Sequence, residues 1–365
     1  MRIQSRRRGA LIVIALLALL GMVAPASLTD SSGAAAQESA ASWCVAAWYP
    51  SSEDPTGLES IAANLDVIDV IHPFWYAPLP DGTLQARARA EDESALAAWR
   101  EAGLVILPTI FSGVWMMISD PATRAFHIEQ IVALVEHMDY DGIDIDYEGF
   151  AASTRDDFSA FIEALAEALH ARGRLLAIAV HAKTGDAGAW EGAAAQDWAR
   201  LSRAVDIFTI MTYDFTNRNE PPGPISPPAW VLDVLGYAES ITDLAHVHMG
   251  LHFYGYSWKR GRPPATATTW AATQRLIQSF NLTAMRDPAD MEAWIDLDVR
   301  GLPRNTVYFA DAVGVQHRLS LALDAFPTLG GVAIWGVGGE DPANWDVLRA
   351  SRRSGCALRR TAISS

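Results

Sequence analysis

The chain is poor in cysteine, with only Cys44 and Cys356 in 365 residues. No Cys/His cluster has metal-ligand spacing, so neither a metal nor another cofactor is expected. Positive charge is also scarce: 28 Lys and Arg against 43 Asp and Glu give a formal net charge of −15. Such an acidic surface disfavours nucleic acid and anionic membranes, while a neutral or mixed-charge polymer remains compatible with it. The longest apolar run, Ala10 to Ala24, is shorter than the ~20 residues a membrane span needs. There is no internal repeat, and no Ser- or Pro-rich tether to a second domain.

What is present begins with a leader. Arg2, Arg6, Arg7 and Arg8 precede the apolar run, and small residues follow it, including Ala34-Ala35-Ala36. That layout predicts a secretory signal peptide over residues 1–36, with cleavage near Ala26 or Ala36. The destination implied is secreted, extracellular or cell-envelope, with no stable membrane anchor after cleavage. Residues 37–42 read as a short linker, 43–352 as one domain expected to be a monomer, and 353–365 as a C-terminal tail. In an exported chain a disulfide between Cys44 and Cys356 would tie the ends of that domain together; two free thiols are the alternative.

Strand-like apolar runs recur at Cys44–Trp48, Val67–Trp75, Leu104–Ile110, Gly142–Tyr147, Leu175–His181, Ile207–Thr212, Val247–Tyr254 and Gly331–Trp335. Many are continuous, as in strands buried on both faces of a parallel sheet. Helical patterns alternate with them, at Ala122–Met138 (opened by Asp120-Pro121), Asp156–Arg172, Ala193–Arg203, Ala229–Ser240 and Arg318–Ala325. This alternation predicts an α/β fold, a (β/α)8 TIM barrel. Residues 259–305 break the rhythm and read as a small α+β insertion between strands seven and eight.

One run carries acids. In Asp141-Gly142-Ile143-Asp144-Ile145-Asp146-Tyr147-Glu148, alternation puts Asp144, Asp146 and Glu148 on one face and Ile143, Ile145 and Tyr147 on the other. Closely spaced carboxylates raise one another's pKa and are expensive to bury, so the row points to chemistry. An EF-hand loop does not fit, because Gly142 stands second and the intervening residues build strands. Barrel sites form at the C-terminal ends of the strands. Here those ends carry aromatics: Trp48-Tyr49, Phe74-Trp75-Tyr76, Phe111 with Trp115 nearby, Tyr213, Tyr254 and Trp335. Rings there suit the flat faces of sugars.

With Met211-Thr212-Tyr213-Asp214 and Trp335, the acid row resembles the D-G-x-D-x-D-x-E, M-x-Y-D and eighth-strand Trp signatures of family 18 glycoside hydrolases. The resemblance leans toward bacterial members acting on spore and cell-wall glycans. It implies retaining hydrolysis of β-linked N-acetylglucosaminides, in chitin oligomers or wall glycan, with the substrate's own acetamido group as nucleophile. It assigns Glu148 as proton donor, Asp146 as partner of the acetamido group, Asp144 as the residue holding Asp146, and Tyr213 as a donor to the acetamido oxygen. It assigns Asp214, Met211, Trp335, Trp75 and Tyr254 to substrate binding, Trp335 as a floor. His181 and His252 stand where smaller residues or Pro are expected. An endo-acting enzyme on N-glycans and a non-catalytic lectin are the alternatives.

Overall fold

The computed structural model describes residues 42–50, 55–113, 116–301 and 303–358. The expected leader, nearly all of the linker, Trp115 and the last residues of the tail lie outside them. Eight parallel strands close a barrel: Cys44–Tyr49, Val70–Pro78, Val105–Ser112, Gly142–Tyr147, Leu175–His181, Ile207–Met211, Val247–His252 and Gly331–Trp335. Closure comes from the first strand, which pairs with the eighth (Cys44 with Gly331) and with the second (Ala46 with Val70). The third strand is interrupted between Ile106 and Thr109, where Pro108 has no N–H to give a ladder. Its carbonyl still accepts from Asp144 N at 3.0 Å.

Two apolar layers follow from strand alternation. Outward side chains such as Val45, Ile71, Ile143, Ile145 and Ile178 pack under the helices. Inward ones such as Ala46, Trp48, Val70, Phe74, Ala179 and Ala333 fill the lumen. The connecting helices include Pro121–His137, whose first turn is capped by the Asp120 carboxylate accepting from Thr123 N at 2.8 Å. Arg155–His170, Pro228–Glu239 and Ala312–Ala325 follow. Thr56–Ala63, Glu93–Glu101 and Ala343–Ser351 are helices that the hydrophobic spacing did not single out. Among the described residues no helix is long and apolar enough to cross a membrane.

The insertion is a five-stranded antiparallel sheet, in the order Thr266–Thr268, Gly255–Lys259, Asn305–Phe309, Ala293–Leu297 and Met285–Arg286, with a helix at Trp270–Phe280. It begins at Gly255 and ends at Phe309, wider than the 259–305 read from the sequence. The aromatic run Tyr254 to Trp258 continues the seventh barrel strand in sequence, but Gly255 already pairs with Phe309. At the opposite end of the barrel Cys44 and Cys356 form a disulfide, with Cα atoms 4.6 Å apart across 312 residues of chain. Leu358 packs against the lumen layer there.

Candidate active site

Strand four delivers the acids as alternation requires. Asp144 and Asp146 turn into the lumen and are almost fully buried, while Tyr147 turns outward. Tyr147 donates its hydroxyl hydrogen to His127 Nε2 (2.7 Å), and His127 Nδ1 donates to Gly82 O (2.7 Å), linking strand four to the hairpin beyond strand two. At the base of the row Asp144 Oδ2 accepts from Trp48 Nε1 (2.9 Å) and Thr109 Oγ1 (2.7 Å), with His72 Nδ1 at 3.9 Å. Asp141, just before the strand, accepts from Ile106 N at 2.8 Å.

Asp146 hydrogen-bonds Glu148 at the mouth. Burial, then the charges of Glu148 and Asp144, push the Asp146 carboxyl well above its usual range. Glu148 is raised as well, by burial and by Asp214, against a lowering from its bond to Asp146. Two carboxyls this close hold a proton between them rather than ionising together. The charge of Arg87, an exposed guanidinium 5.3 Å over the Phe111 ring, opposes that rise at Asp146.

The rim gathers residues from the sixth, seventh and eighth strands. Tyr213 is half-buried, and burial together with the charges of Asp146, Glu148 and Asp214 holds its hydroxyl protonated. Gly250 makes room for it: a Cβ there would stand 2.9 Å from the Tyr213 ring. Asp214 adopts a left-handed φ of +58°, which turns its carboxylate to accept from Tyr254 Oη (2.5 Å) and Tyr256 Oη (3.0 Å). Crowding by the cleft wall raises its pKa against those two bonds, although its outer side is open to solvent. Trp335 is half-buried across the barrel from Glu148, edge-on to Trp48 and 4.8 Å from the Phe74 ring, so one face is left toward the cleft. Met211 is half-buried against the same lumen layer.

Trp75 is a correction. It is fully buried and stacked on Trp99 at 5.7 Å, beneath the helices, and offers no face to a ligand. Phe74, its neighbour, points into the lumen instead. Thr109, Arg87 and Tyr256 join the site without having been singled out as site residues from the sequence. His181 lies at the end of strand five, its Nε2 4.0 Å from Glu148 Oε2; burial lowers its pKa to about 4, so it is neutral. His252 is buried under the rim, 3.5 Å from Glu292 of the insertion, which also pairs with Arg318 at 3.2 Å.

A parallel-stranded barrel with an acid row at the C-terminal mouth, ringed by Tyr, Asp and Trp, defines a glycosidase of the barrel type. The chain belongs to Glycosyl hydrolases family 18, whose family model matches residues 94–340. The cortical fragment-lytic enzyme of Bacillus anthracis is 28% identical over 64% of this chain and 54% of its own length. The chain thus spans about half the length of the curated relatives it matches. The fold is shared with a chitinase from Chromobacterium violaceum (TM-score 0.78, 23% identity, 85% of this chain and 99% of that one). It is shared too with the spore cortex-lytic enzyme SleL of Bacillus cereus (TM-score 0.77, 23% identity, 86% and 76%).

Proposed function

We propose that this protein is an exported, monomeric hydrolase that cleaves β-linked N-acetylglucosaminides in chitin oligomers or cell-wall glycan, with retention of configuration. The observation that carries the reading is the buried acid row at the C-terminal mouth of the barrel, with Asp144 clamped by Trp48 and Thr109 and with Asp146 and Glu148 both raised by burial. A raised pair of this kind is the arrangement that supplies a protonated carboxyl for glycoside cleavage. Glu148 gives its proton to the glycosidic oxygen as the C1–O bond breaks. The acetamido oxygen of the same sugar closes on C1, giving an oxazolinium ion, an exception to the two-carboxylate scheme. Asp146 accepts the acetamido N–H and faces the developing positive charge, while Tyr213 donates to the acetamido oxygen. Water then attacks C1 from the side the leaving group vacated, giving its proton back to Glu148, and the ring reopens. Asp144, clamped by Trp48 and Thr109, keeps Asp146 in line, Trp335 lies under the sugar, and Asp214, held by Tyr254 and Tyr256, borders it.

The relatives named for spore cortex make wall glycan the first substrate to try. The test is to incubate the purified protein with wall glycan strands, chitin oligomers and a glycoprotein, then identify products by mass and the first-formed anomer by NMR. Expected are fragments ending in N-acetylglucosamine with the β-anomer formed first. Release of intact glycans from the glycoprotein alone, or an α-anomer, would sink the reading.

A further inference from the structure

Beyond strand five the chain builds a feature that the reaction just described does not use. Trp190 is 49% exposed, a high value for an indole, and its ring lies 4.5 Å from that of His181. The loop that carries it is fastened in several places. Glu191 accepts from Ala152 N at 2.8 Å, tying the loop to the segment after strand four. Lys183 Nζ donates to Gln196 O (2.7 Å) and Asp186 O (3.0 Å), and Gln196 Oε1 accepts from His181 N (2.7 Å). Gly192 lies under the indole, where any side chain would run into the ring. The ring is therefore set in place, with one side open.

Its position has a direction. Trp335 stands on strand eight, and Glu148 across the barrel on strand four. His181 Nε2 is buried without a hydrogen-bond partner and is aimed at Glu148, 4.0 Å away. Strand five neighbours strand four, and His181 thereby brings the Trp190 ring to the side of Glu148. We propose that Trp190, backed by His181, is a platform for the sugar on the leaving-group side, stacking against its apolar face; this rests on the glycosidase reading above.

The N-acetylglucosamine hexamer is the probe. Trp190→Ala should lower kcat/KM on it by about three- to tenfold, mainly through KM, and shift the cleavage position; the figure is the strength of one aromatic stacking contact. Trp190→Phe should recover most of the loss, and His181→Ala should change the same quantity in the same direction. An unchanged split of the hexamer into products in Trp190→Ala would mean a merely structural role and overturn the proposal. Calorimetric binding of the hexamer to Glu148→Gln, with and without Trp190→Ala, reads the platform independently of turnover. Unchanged affinity there, or no saturable binding of the hexamer, overturns the platform even if the enzyme is active. A wild type that binds the hexamer through Trp190 but cleaves no glycan overturns the glycosidase reading alone.

Discussion

Two of the regions that bury carboxylates do opposite things with them. At the cleft, Asp146 is pressed between Asp144 and Glu148, opposed by an exposed Arg87. Under the insertion, Glu292 is equally buried but accepts from Ile225 N (3.0 Å), Ser226 N (3.2 Å) and Arg318 Nη2 (3.2 Å), with His252 at 3.5 Å. Burial pushes Glu292 up, yet His252, Arg318 and the Ile225 N–H outweigh it and hold the carboxyl below its usual value. His252 is itself pushed down by burial, against the pull of Glu292. Depth alone does not decide whether a carboxyl keeps its proton; the supply of cations and N–H donors does. One region leaves its carboxyls raised, and the other holds a charge that joins insertion to barrel.

That contrast can be broken from either side. Glu148→Gln keeps the shape of the cleft but removes its transferable proton. It should cut kcat by about 10²–10⁴, the usual worth of a positioned acid, while calorimetry still detects oligosaccharide binding. Arg318→Met makes the second region resemble the first. It strands a buried carboxylate, which should lower unfolding free energy in urea by roughly 3–5 kcal/mol. Arg318→Met with Glu292→Gln should recover most of that. The depressed Glu292 stabilises the wild type above its unfolded pKa, a contribution lost as pH falls through the folded value. In the single Arg318 variant the deficit should therefore shrink on acidification, as Glu292 takes up a proton. A urea series from neutral to acidic pH checks it.

A control separates the cleft from the far end of the barrel. Cys44→Ser with Cys356→Ser should lower stability by roughly 2–5 kcal/mol and leave kcat unchanged, because the disulfide closes a long loop at the end away from the acids. A loss of kcat in the folded variant would contradict that separation. The smallest effect belongs to Asp214→Asn. The charge of Asp214 helps hold Glu148 up, so its removal lets the Glu148 pKa fall. The basic limb of kcat/KM should then move to lower pH, and a shift to higher pH would reverse the assignment.

The barrel was legible because its strands are unbroken apolar runs separated by helical spacing, and the acid row because three carboxylates on one strand face have no packing rationale. The same continuity concealed Trp75. From Val70 to Tyr76 every residue of strand two is buried, so nothing in the pattern says which parity faces the lumen; only closure against strands one and three does. The insertion boundaries were hidden for a related reason, since a β-rich aromatic run does not announce where it leaves one sheet for another. The clamp of Tyr254 and Tyr256 on Asp214 joins residues 40 and 42 positions apart. The pair of Glu292 with Arg318 depends on the folded insertion. His252, an unexpected histidine in an apolar strand, was the one local sign of that buried ionic group.

The disulfide has a geometric consequence for how the molecule can be moored. Cys44 opens the first strand, and strands point their C-terminal ends at the cleft, so both bridged residues sit on the pole opposite the acids. With their Cα atoms 4.6 Å apart, they make the domain a ring with a single point of departure. A tether fixed beside either cysteine would hold the barrel by its floor, on the side away from the mouth.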